Sequence, residues 1–267
     1  MSGGTRRYWN SLSQVSDQLV GCYPMGRGGL LEASYRHYFE VRHLKRFVRL
    51  DRTMSVLELG SGNGRWILSL APLVKHYTAV DFSRRALDVA RKGIRAAGLD
   101  NVELHEQSIL DFRGDGRYDV IYLAGVTQYL QDEEIRRLME NLAPHLGQGT
   151  VIVDRSTINV RAREILVRDG YYAIFRTPAE LRALLARHGF HGTYQRRSYR
   201  FMRGGRMLQA GPLKRIMPVL VRALSPVSLY LLLGYSWPAD AVRPIPFEGG
   251  DRSHDFFVFR RDDRADA

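Results

Sequence analysis

Val56-Leu57-Glu58-Leu59 runs straight into Gly60-Ser61-Gly62-Asn63-Gly64, an apolar stretch ending on three alternate glycines. Glycine at the first of these positions permits a tight turn. At the second it lets a ligand touch backbone, and at the third it allows a helix to pack closely on a strand. Asp81 closes the next apolar run, about 20 residues on, where a carboxylate can accept hydrogen bonds from both hydroxyls of a ribose. Dinucleotide sites use a GxGxxG spacing with pyrophosphate at a helix N-terminus. Here the spacing is GxGxG, and Glu58 stands two residues before the first glycine, where it would repel a phosphate. The loop therefore suits a nucleoside cofactor that has a positive end and no phosphate.

A second set of candidates lies upstream, in Ala33-Ser34-Tyr35-Arg36-His37-Tyr38-Phe39. At helical spacing Tyr35 and Tyr38 share a face and His37 lies off it. His37 is the candidate general base, with Tyr35 beside it, and Tyr8 and Trp9 are candidates to cover the site. Arg155, Arg161 and Arg163 are placed to clamp a carboxylate or phosphate on a substrate. No acidic pair has metal-ligand spacing, so no divalent metal is expected.

Strands and helices alternate around these residues. Strands are predicted at Ser55 to Leu59, Tyr77 to Asp81, Asn101 to His105, Tyr118 to Ala124 and Thr150 to Asp154. Helices are predicted at Arg65 to Val74, from a Ser83 cap through Ala97 to a stop at Gly98, and from an Asp132 cap through Leu142. Thr177-Pro178-Ala179-Glu180 joins a hydroxyl cap, a proline at the first helical position and a capping-box glutamate, so a helix should start there and end by Gly189. Tyr194 to Tyr199 and Asp255 to Arg260 then read as strands that pair at one edge. The alternation implies a parallel sheet with helices on both faces. An N-terminal helix is expected from about Leu30 to Val48.

Together, Glu58-Leu59-Gly60-Ser61-Gly62-Asn63-Gly64, Val80-Asp81-Phe82-Ser83, Tyr118-Asp119-Val120-Ile121 and His188-Gly189-Phe190 resemble the class I S-adenosylmethionine-dependent methyltransferases. The resemblance covers about residues 54 to 200 plus the last strand. It implies an α/β, Rossmann-like fold: a seven-stranded, mostly parallel sheet with an antiparallel last strand and helices on both faces. It also implies S-adenosyl-L-methionine as cofactor. By position, Gly60, Ser61, Gly62 and Gly64 would line its methionine and ribose portion. Glu58 would act through water or the methionine ammonium, Asp81 would hold the ribose diol, and Phe82 would pack beside the adenine. Ser108 stands where the family commonly has Asp, and would accept from the adenine amino group, with the Ile109 amide reaching the ring. Ala124 ends the fourth strand at the cofactor. Gln128 and Tyr129 occupy the loop where many members carry histidine. Asp154, at the end of the fifth strand where the family opens its site, is a second candidate base.

The resemblance divides the chain into an N-terminal helical cap (1–53), a core (54–200 and 254–261) and an insertion (201–253). The insertion, apolar from Leu213 to Leu233 and broken by Pro218 and Pro226, is expected to be a lid or a docking element at a membrane or substrate. At 267 residues and 45% hydrophobic, the chain is no disordered tail, and its one cysteine excludes an internal disulfide. It shows no secretory signal and no apolar run of the roughly 18 residues a spanning helix needs. A cytoplasmic location is expected, peripheral to the inner membrane face if a membrane is involved. The net charge of +12 is uneven: residues 155–215 hold 14 Lys/Arg against 3 Asp/Glu, while residues 54–154 hold 11 against 14. Such an excess suits an acidic or phosphorylated partner. The leading expectation is O-methylation of a small molecule or of a glycan- or lipid-linked acceptor, with an anionic membrane surface as a further partner and no obligate protein partner. The alternatives are an RNA methyltransferase, which lacks support from any added RNA-binding module, and a non-catalytic cofactor-binding module, which the intact loop and Asp81 disfavour.

Overall fold

The computed structural model describes residues 8–9, 29–197 and 251–261. Expectations for the insertion fall outside these residues, except at its end, where residues 252 and 253 belong to the last strand. The helices are α1 (Gly29–Phe47), α2 (Ile67–Leu70), α3 (Arg84–Ala96), α4 (Asp132–Leu142) and α5 (Pro178–Ala186). The strands are β1 (Ser55–Leu59), β2 (His76–Asp81), β3 (Val102–Glu106), β4 (Tyr118–Ala124), β5 (Leu146–Asn159), β6 (Glu164–Arg168), β7 (Tyr171–Phe175), β8 (Phe190–Arg197) and β9 (Arg252–Arg261). Seven of them form one sheet in the order β3-β2-β1-β4-β5-β9-β8. β1 to β5 pair parallel to one another, and β9 runs antiparallel between β5 and the edge strand β8.

Side chains alternate across this sheet, so consecutive residues feed two cores. Leu57, Leu59, Ile121, Leu123 and Phe257 pack with Leu138 and Leu142 of α4 and Leu185 of α5. Val56, Tyr77, Val120, Tyr122 and Phe256 pack with Leu44 of α1, Trp66, and Ala90 and Ile94 of α3. Each fully buried side chain of this size contributes about 1.5–3 kcal/mol. The two cores hold the strand ends rigid at the edge where β1, β2 and β4 deliver their loops.

Four departures from the expected elements have physical causes. The helix from Arg65 to Val74 is one α turn followed by a 3-10 turn at Ala71–Leu73, because the ring of Pro72 cannot continue the ladder. The cap of α4 is Gln131, not Asp132: Glu134 closes its capping box. β5 runs five residues beyond Asp154, because Arg155 to Asn159 pair with β9 and are buried despite their polarity. The fourth is an unexpected hairpin. β6 and β7 pair antiparallel around Asp169 (φ 49°) and Gly170 (φ 81°). Asp-Gly is a two-residue turn suited to positive φ, so the signal was present in the sequence. No helix among the described residues is long and apolar enough to cross a membrane.

Candidate active site

Where β1 separates the β2 side of the sheet from the β4 side, a cavity of about 420 Å³ opens beyond the strand ends. Gly60 and Gly62 from the β1 loop, Asp81 at the end of β2 and Phe82 after it, Ser108 and Ile109 beyond β3, and Ala124 at the end of β4 with Gly125 and Val126 after it form its walls. Tyr129 and Trp9 close one end, and Asp111 with Arg137 of α4, paired at 2.6 Å, rims another part.

The loop is shaped by backbone. The amides of Gly60 and Ser61 both donate to the Val80 carbonyl, at 2.8 and 3.1 Å. Gly60 has φ 78°, and a Cβ there would lie 2.5 Å from Val126 Cγ2. Gly64 is not a wall of the cavity. A Cβ on it would lie 2.8 Å from Ala90 Cβ, so its role is to let the turn pack against α3. Ser61 is buried and also off the wall.

Asp81 is buried at the cavity floor. One carboxylate oxygen accepts from the Gly62 amide and the other from the Ser83 amide, each at 2.8 Å. Burial raises its pKa, and the Ser83 and Gly62 amides oppose that rise. Ser108 caps a 3-10 turn by accepting from the Leu110 amide at 3.3 Å.

Glu58 lies off the wall, fully buried. Its Oε2 accepts from the Tyr77 hydroxyl at 2.9 Å, and its Oε1 has no hydrogen-bond partner among the described residues. Burial pushes its pKa up to about 8, from an ordinary 4.5. Between those values the folded chain keeps a proton that the unfolded chain releases. The contribution of Glu58 to stability therefore falls as pH rises from 4.5 to about 8. Glu58→Gln is expected to leave stability unchanged near pH 4.5 and to raise the melting temperature by several degrees at pH 8. Calorimetric scans across that range check it, and parallel curves for the two proteins would contradict it.

Neither candidate base faces the cavity. His37 Nε2 bonds Ser69 Oγ at 2.8 Å, and its ring packs edge-on against Trp66. Burial and Arg65 hold its pKa down at about 3, so the imidazole stays neutral and is a poor proton acceptor. Asp154 is fully buried and accepts from Thr127 Oγ1 at 2.8 Å. Burial, opposed by the Ser156 and Thr127 hydroxyls, pushes it up to about 6. It lies beneath the loop after β4, off the cavity wall. Tyr35 is in α1.

All three arginines of the expected clamp have partners within the chain. Arg155 Nε donates to Glu40 Oε1 of α1 at 2.7 Å, Arg161 pairs with Asp251 and Arg163 with Asp132. Glu40 is fully buried. Burial acts to raise its pKa, but Arg155 and Arg65 overcome that and keep it ionised. This pairing fastens α1 to β5 and to the residue that follows the glycine loop.

Two groups were missed in the sequence. Arg176, which follows β7, is 3% exposed and holds the loop after β4: it donates to the carbonyls of Thr127 and Leu130 at 2.9 and 2.6 Å, and to Asp132 Oδ1. Tyr171 of β7 completes a closed circuit of edge-to-face rings, Tyr8 to Trp9, Trp9 to Tyr129, Tyr129 to Tyr171 and Tyr171 to Tyr8, with centroids 5.1–5.7 Å apart. Both follow from the hairpin at Asp169-Gly170. Among the described residues no group of three or more His, Cys, Asp or Glu could hold a metal ion.

Residues 56–149 match a family model described as a methyltransferase domain. An uncharacterized protein of Rickettsia prowazekii is 37% identical over 78 residues, covering 28% of this chain and 14% of its own. A SAM-dependent methyltransferase of Leishmania major superposes with a TM-score of 0.61 at 18% identity, covering 75% of this chain and 77% of that one. DhpI in complex with SAH superposes with a TM-score of 0.56 at 22% identity, covering 73% and 90%. A likeness at such identities is one of fold. The chain spans less than two thirds of the length of the curated relatives it matches. With the glycine loop, Asp81 and the strand order in place, residues 56–149 match a methyltransferase domain and lie in a Rossmann-like sheet.

Proposed function

We propose that the chain transfers a methyl group from S-adenosylmethionine to an oxygen of an acidic acceptor, either a small molecule or a glycan- or lipid-linked one. The observation that carries this reading is the Asp81 carboxylate, buried at the floor of a cavity walled by Gly60 and Gly62. Its oxygens accept from the Gly62 and Ser83 amides, with a further backbone bond from Phe82, and a carboxylate has a lone pair left over for a ribose hydroxyl, so the residues present fit an adenosine. Phe82, Ser108 and Ile109 would hold the adenine.

When bound, the cofactor supplies an electrophilic methyl on a sulfonium, and the S–C electron pair stays with sulfur as a lone pair of the acceptor oxygen forms the new bond. Trp9 and Tyr129 offer ring faces, which attract positive charge and exclude water. Alignment within the walls supplies most of the acceleration in such a displacement.

The walls favour an acid as acceptor. His37 and Asp154 lie off the cavity, the wall carboxylates Asp111 and Glu134 are engaged by Arg137 and by the Gln131 amide, and burial keeps the hydroxyl of Tyr129 protonated well beyond its ordinary range. A carboxylate is already ionised at neutral pH and needs no proton removed, whereas a sugar hydroxyl does. Incubating the protein with methyl-labelled cofactor and fractionated cell extract tests the proposal. Label is expected in acidic, non-nucleic-acid material. Label confined to RNA, or to amines, would contradict it.

A further inference from the structure

Gln128, Tyr129 and Tyr171 make a hydrogen-bond chain whose direction is fixed from one end. The Thr157 amide can only donate, and it bonds Gln128 Oε1 at 2.8 Å. The amide group of Gln128 is thereby oriented, and its Nε2 donates to the Tyr129 oxygen at 2.8 Å. The Tyr129 and Tyr171 hydroxyls lie 3.4 Å apart. Two hydroxyls carry two protons, and a bond between them uses one. Whichever tyrosine donates to the other, one proton of the pair has no use among the described residues. Tyr129 belongs to the cavity wall, and Tyr171 adjoins it through this bond.

We propose that this pair is the donor that anchors the methyl acceptor, and that the acceptor is a flat carboxylic acid whose non-reacting oxygen takes the spare proton's hydrogen bond. The assignment rests on the methyl-transfer reading above and adds to it the class of acceptor and the residues that select it. Two observations favour an anion over an amine. The spare group is a donor, which an ammonium ion cannot use. The rings of Trp9 and Tyr129 at this end of the cavity suit a planar apolar body. Neither tyrosine touches the reacting methyl in this account; they hold the second oxygen while the first attacks.

The test uses the full chain saturated with S-adenosylhomocysteine, titrated with benzoate and with benzylamine and followed by saturation-transfer NMR. Benzoate is expected to bind and benzylamine not. Removing one hydroxyl frees the proton of the other, so Tyr129→Phe and Tyr171→Phe are each expected to weaken benzoate by less than about 3-fold. The double variant is expected to weaken it about 10- to 100-fold, the range for a hydrogen bond to a charged group. That excess over the product of the single effects is a coupling that loss of ring packing would not produce. Equal binding by the double variant, purely multiplicative effects, preference for benzylamine, or no probe binding while S-adenosylhomocysteine binds would each overturn the assignment and leave the methyl-transfer proposal standing. Failure to bind S-adenosylhomocysteine would overturn both.

Discussion

Asp81→Ala is expected to abolish methyl transfer and to weaken S-adenosylhomocysteine binding by at least about 100-fold. The carboxylate is asked to hold two ribose hydroxyls, and a hydrogen bond to a charged group is worth roughly 1.5–3 kcal/mol. The loss has a second part, because the amides of Gly62 and Ser83 lose their acceptor when the side chain is truncated. Each buried amide left unpaired costs about 1–3 kcal/mol, and both belong to segments that shape the cavity. Asp81→Asn separates the two parts. Its carbonyl still accepts from one amide, while its NH2 group faces the other amide donor, so binding should fall less than in the alanine variant. Calorimetric titration of the three proteins measures this. Unchanged affinity in Asp81→Ala would remove the carboxylate from the cofactor site.

Arg176→Met is expected to cost about 2–5 kcal/mol of stability. Arg176 is buried and satisfies the carbonyls of Thr127 and Leu130. Methionine fills a similar volume but leaves both carbonyls without their donor, and burying unpaired polar groups is costly. It also removes one of the two arginines that pair with Asp132 at the start of α4, leaving Arg163. For a domain of this size 1 kcal/mol corresponds to roughly 2–4 °C in melting temperature. A drop of about 10 °C is the expected reading, with weaker cofactor binding because Val126 and Tyr129 ride on the same loop. A change below about 2 °C would show that the loop is held by other contacts.

The glycine loop and Asp81 were legible because their chemistry is local. A turn requiring positive φ at Gly60 and Gly62 can be inferred from adjacent residues, and Asp81 bonds amides only 2 and 19 positions away. The strand ladder was legible for a similar reason, since fully buried parallel strands such as β4 are written as continuous apolar runs. The roles of His37, Asp154 and Arg155 were not legible, because each depends on which face of an element turns inward and on what arrives there from far along the chain. Arg155 meets Glu40, 115 positions away, and no local pattern distinguishes an arginine buried in that way from one facing a substrate. Arg155-Ser156-Thr157 looks like the end of a strand by local composition, whereas pairing with β4 and β9 extends β5 through it. The β6–β7 hairpin is different, since Asp169-Gly170 announced it. What the sequence alone withheld was its consequence, the delivery of Tyr171 and Arg176 to the loop after β4.

Calorimetry of the purified chain with S-adenosylhomocysteine and, separately, with NAD tests most directly whether a carboxylate-floored, glycine-walled cavity accepts a nucleoside without a diphosphate. Saturable one-to-one binding of S-adenosylhomocysteine, with no heat from NAD at the same concentrations, is the predicted result. Binding of NAD in its place, or no binding of S-adenosylhomocysteine, would contradict it.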